Sequence, residues 1–131
     1  MAWTPEEKAT VYVVDDEPAV RHSLEALLRA VGLGVQTFAS ASEFLAAPVR
    51  RPACLLLDIR MPGMDGFQLQ KRIAGTDHDL PIIILTGDGN EETRRRSLDA
   101  GAVAFFHKPF DDEELLEAIY EGITSSPVPE D

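Results

Sequence analysis

Five times along the chain, a short β-branched or aliphatic run gives way to a segment whose apolar residues recur at helical spacing. "TVYVVD" (Thr10 to Asp15) predicts a first strand, and Val20, Leu24, Leu27, Leu28 and Val31 then line one face of a helix that Gly32 stops. "VQTF" (Val35 to Phe38) predicts a second strand, and Ser40 to Glu43 reads as a capping box ahead of a short helix ending near Ala47. A loop bracketed by Pro48 and Pro52 leads to strand three (Ala53 to Asp58), a turn rich in Pro and Gly, and a helix to about Ala74. Strand four (Ile82 to Thr86), a helix from about Glu91 to Ala100 and strand five (Val103 to His107) follow. Asp111 to Glu114 place four acids where a helix macrodipole favours them, and Leu115, Leu116, Ile119 and Ile123 form that last helix's apolar face. Nearly all-apolar strands alternating with helices predict a single α/β domain whose parallel sheet is buried on both faces.

In such sheets ligands gather beyond the carboxyl ends of the strands. The residues expected there are Asp15 and Asp16 after strand one, Asp58 after strand three, Thr86 at the end of strand four, and Lys108 and Pro109 after strand five. Three carboxylates in one crevice repel, and burial makes each harder to keep ionised without a counter-charge. An all-oxygen set with incomplete protein ligation suits a hard divalent ion, Mg²⁺ or Mn²⁺. Zinc is disfavoured because His22, His78 and His107 have no metal-ligand spacing.

Composition narrows the rest. A chain of 131 residues, 44% hydrophobic and 27% charged, fits one globular core. No apolar run approaches the roughly 20 residues of a membrane span, and "MAWTPEEKAT" lacks the basic segment and apolar run of a secretory signal. A cytoplasmic location and no membrane partner are expected. The lone Cys54 lies in an apolar run, the setting of a buried, inert thiol. A formal charge of −11 would repel a phosphate backbone, so direct nucleic-acid binding by this chain is not expected. Arg94, Arg95 and Arg96 form the basic cluster; consecutive helical residues spread around the helix, as on a solvated face or a partner contact.

The stretches "VVDDEPAVR", "LLLDIRMPGMDG", "ILTGDG" and "AGAVAFFHKPF" together resemble the receiver domain of bacterial two-component response regulators, over about residues 9 to 123. "DIRMPGMDG" with "GAVAFFHKPF" looks most like the receivers of FixJ-like transcription regulators. On that resemblance residues 1–8 are an N-terminal extension and 124–131 a tail or truncated linker. The fold it implies is flavodoxin-like, a (βα)5 three-layer sandwich with strand order 2-1-3-4-5. Asp58 would be the phosphoacceptor, taking a phosphoryl group from a histidine kinase. Asp16, Asp58 and the backbone carbonyl of Arg60 would hold Mg²⁺, with Asp15 acting directly or through water. Lys108 would pair with Asp58 at rest, and Thr86 would turn its hydroxyl toward the phosphoryl group. A cis bond before Pro109 would keep Lys108 at the crevice edge. Phe105 occupies the switch-aromatic position where many relatives carry Tyr, while Phe106 faces the core. Arg60 and Asp88, each two residues beyond a site residue, would stand near the route of attacking water.

The implied function is a signalling switch, not a turnover enzyme, with only self-phosphorylation and slow autodephosphorylation. Its output would be transcriptional, read by a partner or by a C-terminal output domain outside this chain. Phosphorylation would also promote a homodimer through helix four, strand five and helix five, where Arg94, Arg95 and Arg96 oppose Asp111, Asp112, Glu113, Glu114 and Glu117. Two alternatives compete: an aspartyl-phosphate phosphatase or phosphotransferase, and a phosphorylation-independent interaction module. The first usually places a second acid two residues after its nucleophile, where this chain has Arg60. The intact set of acids, hydroxyl and lysine counts against the second.

Overall fold

In the computed structural model, which describes residues 9–125, β1 (Thr10–Val14), β2 (Gly34–Phe38), β3 (Ala53–Leu57), β4 (Ile82–Thr86) and β5 (Ala104–His107) form one parallel sheet of order 2-1-3-4-5. The crossovers contain α1 (Pro18–Ala30), α2 (Ala41–Ala46), α3 (Gly66–Ile73) and α4 (Glu91–Asp99), and α5 (Asp112–Ser125) follows β5. This is the flavodoxin-like three-layer arrangement that the alternation and the resemblance imply. Every residue of β3 and β4 is buried, as expected of central strands covered on both sides.

Side-chain alternation along the strands divides the core in two. Tyr12, Leu55, Leu57 and Ile84 face α2 and α3, where Phe44, Leu69 and Ile73 meet them. Val11, Val13, Leu56 and Ile83 face α1 and α5, against Leu24, Leu28, Leu115 and Ile119. Phe105 belongs to the first layer and Phe106 to the second, so the expected opposition of the two rings holds. Cys54 is fully buried, and that burial pushes its thiol up to about 12.

Helix starts are fixed locally. Ser40 Oγ accepts from the Glu43 amide (3.2 Å), while Glu43 Oε1 returns to the Ala39 amide (3.3 Å), one residue earlier than a strict capping box. α3 carries the full reciprocal box, Asp65 with Gln68. α5 runs to Ser125, two residues beyond the expected domain end at 123; the expected extension 1–8 and most of the tail lie outside the described residues. Ala9, just before β1, accepts from Gly34, and Ser125 lies in a hollow beside Val103 and Ala104. Both ends of the described chain therefore leave at the amino edge of the sheet.

Candidate functional site

The parallel ladder continues past the strand ends and delivers the predicted residues to one edge. The Asp15 amide donates to Phe38 O (3.1 Å), that of Asp58 to Val14 O (3.1 Å) and that of Lys108 to Thr86 O (2.9 Å). Carboxylate oxygens of Asp15, Asp16 and Asp58 all lie within 4.8 Å of one another. Asp15 and Asp58 are 2% and 5% exposed, and Thr86 is fully buried. Asp16, Asp58 and Thr86 border an open cavity of about 280 Å³, with Arg60 and Asp88 on its rim. The Lys108–Pro109 bond is cis, and so is Arg51–Pro52.

Lys108 forms the expected ion pair with Asp58 but makes its short hydrogen bond to Asp15. Its Nζ donates to Asp15 Oδ2 at 2.8 Å and lies 3.4 Å from Glu17 Oε1, whereas Asp58 Oδ2 is 3.6 Å away, outside hydrogen-bond range. One ammonium is shared by three carboxylates. Asp15 takes the short contact because its other oxygen accepts from the Glu17 amide (2.9 Å), which fixes the carboxylate in place. Burial pulls the Lys108 ammonium down, but the hydrogen bond to Asp15 and the charges of Asp15, Asp58 and Glu17 outweigh it and leave it above the usual lysine value.

Asp58 is the uncomfortable member. Its Oδ1 is buried without a hydrogen-bond partner. Burial raises its carboxyl above the ordinary range and the charge of Asp15 adds to that; Lys108, the Thr86 hydroxyl and the Arg60 backbone amide pull it down without prevailing. An orphaned buried acceptor next to two further carboxylates, with hard oxygen donors throughout, fits a divalent cation.

Several supporting residues have only tertiary signatures, invisible to spacing. Arg21, one turn into α1, donates from Nη1 to the Asp15 carbonyl (2.7 Å) and fixes the β1–α1 turn. Arg60 and Asp88, expected separately near the water route, form an ion pair across the rim (2.6 Å). A Cβ on Gly66 would lie 2.6 Å from the Asp58 carbonyl oxygen, so only glycine lets α3 start so close to the backbone of Asp58. A Cβ on Gly89 would meet Phe105 at 2.9 Å and His107 at 2.8 Å. The loop between β4 and α4 therefore rests on the side chains of β5.

A three-layer sheet of this order, with an acid-lined crevice, a buried hydroxyl and an ammonium at its carboxyl edge, defines a receiver-type domain. The chain belongs to the response regulator receiver domain family, whose profile matches residues 11–120. It is 42% identical over 121 residues to the response regulator protein TodT of Pseudomonas putida, covering 91% of this chain and 53% of TodT. With the transcriptional regulatory protein FixJ of Bradyrhizobium diazoefficiens it shares 41% over 117 residues, covering 88% of this chain and 57% of FixJ. The crystal structure of FixJ-N superposes with a TM-score of 0.83 at 37% identity, covering 94% of this chain and 98% of that one. The chain thus spans about half the length of the curated relatives it matches.

Proposed function

We propose that this chain is the phosphoacceptor switch of a two-component pathway, with Asp58 receiving the phosphoryl group of a histidine kinase. The observation that carries this reading is the buried Asp58 carboxylate, whose Oδ1 lacks a hydrogen-bond partner, beside two further acids and with its Oδ2 3.6 Å from Lys108. An Asp58 oxygen attacks phosphorus as the P–N bond of a phosphohistidine breaks, its electron pair staying on the imidazole nitrogen. An ionised carboxylate needs no general base, so the surrounding residues have only to place and neutralise charge. Asp16, Asp58 and the Arg60 carbonyl would hold Mg²⁺ or Mn²⁺. Asp15, which also accepts from the Glu17 amide and from Lys108, would reach the ion directly or through water. When bound, the ion neutralises charge on the phosphoryl oxygens. Lys108 swings from Asp15 toward the phosphoryl group, and Thr86 donates its hydroxyl to it.

The switch acts in the cytoplasm and controls transcription, through an output domain like those that lengthen the relatives or through a separate partner. Thr86 and Lys108 closing on one group draw the β4–α4 loop and β5 together, and Phe105, resting on Gly89, repacks with them. Intact mass after incubation with acetyl phosphate tests the assignment. One phosphoryl group is expected with Mg²⁺, none with a chelator and none on Asp58→Asn. Stable labelling of the Asn variant would sink the assignment.

A further inference from the structure

The helix nearest the switch loop is held by very little. Ser97 is the one residue of α4 that is fully buried, and Leu98, half-buried against the core, is its apolar anchor. An open groove of about 380 Å³ separates α3 from α4, with Phe67 and Lys71 on one wall and Arg96 and Ala100 on the other. The helices are parted along this stretch, while Leu98 reaches the core layer to which Leu69 and Ile73 of α3 belong. Two contacts of polar groups cross between them: the Arg96 guanidinium lies 3.9 Å from the centre of the Phe67 ring, and Gln70 Nε2 donates to the Ser97 carbonyl at 3.1 Å.

Gln70 is an odd choice for that place. It is 2% exposed, and its Oε1 is buried without a partner. Leaving an acceptor unpaired in the interior is unfavourable and offsets much of what the Nε2 bond contributes. The Ser97 carbonyl also accepts from the Ala102 amide (3.1 Å), and Ser97 Oγ donates to the Thr93 carbonyl (2.8 Å), so neither group would be orphaned without Gln70. An apolar side chain of similar shape would serve stability as well. What it could not supply is direction, because a hydrogen bond fixes one geometry where apolar contact tolerates many.

We infer that Gln70 is a positioning residue, holding α4 at one setting against α3 without adding to the stability of the fold. Its bearing on signalling rests on the phosphoacceptor reading above. The test is Gln70→Met, with Gln70→Leu as a second shape, followed by thermal melting and amide hydrogen exchange. Both variants are expected to melt within about 2 °C of the unchanged protein. Exchange of amides 93–99 should quicken by about 5-fold or more while that of the sheet stays the same. Unchanged exchange in α4, or lower melting with faster exchange throughout the sheet in both variants, would overturn the inference; so would failure of both to fold. A second arm adds beryllofluoride with Mg²⁺, which should alter α4 exchange in the unchanged protein and less in the variants. No response in the unchanged protein would count against the switch reading, while the first arm still decides the role of Gln70.

Discussion

Asp58, the proposed phosphoacceptor, sits where its charge costs stability. Its carboxyl is raised above the unfolded value by burial, so the folded chain holds this proton more tightly than the unfolded one. Stability is then lost as pH rises from the unfolded value through the folded one. Asp58→Asn should therefore melt about 2–5 °C higher than the unchanged protein at pH 7 in the absence of divalent ions. Melting curves across pH should show that advantage disappear below about pH 4, where both states are protonated. Equal melting at pH 7 would mean that Lys108 compensates the carboxylate fully. Gly66 marks the opposite kind of residue, one whose value is its lack of atoms. Gly66→Ala would drive a Cβ into the backbone of Asp58 and Ile59, at 2.6 and 2.8 Å, where no flexible side chain can yield. A loss of about 1–3 kcal/mol in denaturant unfolding is expected.

At the scale of elements, α3 shows how much of this fold was legible and what was not. Its apolar spacing and the turn before it announce a helix, and Asp65 three residues ahead of Gln68 is a readable start signal that composition of the turn obscured. Asp65→Ala should cost about 0.5–2 kcal/mol by losing the reciprocal cap, measured by thermal or urea unfolding. Strand ends were legible for a different reason: a buried apolar run that stops on an acid or hydroxyl leaves few places for that group except the sheet edge. Asp15, Asp58 and Thr86 are such cases. Pair identities were not legible, because they depend on side chains brought together from separate crossovers. The short contact of Lys108 with Asp15 joins residues 93 apart, and that of Arg60 with Asp88 residues 28 apart. Arg96 is turned toward Phe67 on α3, in keeping with the spread around the helix expected of three consecutive arginines.

For the whole molecule, that turn of Arg96 narrows the proposed self-association surface. Arg94 is occupied by Glu91 at 3.4 Å, which leaves Arg95 as the member of the trio without an ion pair or ring contact among the described residues. Sedimentation should show beryllofluoride with Mg²⁺ shifting the chain from monomer to dimer, and Arg95→Glu weakening that dimer about 2- to 10-fold at low salt. A monomer at all accessible concentrations would remove the proposal; a dimer indifferent to Arg95 would move it to another face. The placement of residues 9 and 125, where the described segment begins and ends, has a consequence of a different kind. Residues 9 and 125 sit at the amino edge of the sheet, while Asp58 stands at the carboxyl edge, about 17 Å away along a five-residue strand. Anything spliced on at either point sits at the far end of the domain, where it leaves the crevice uncovered and is linked to Asp58 only through the body of the protein. The same placement makes these two positions natural joints for interchange, since a new module grafted there inherits the input without obstructing it.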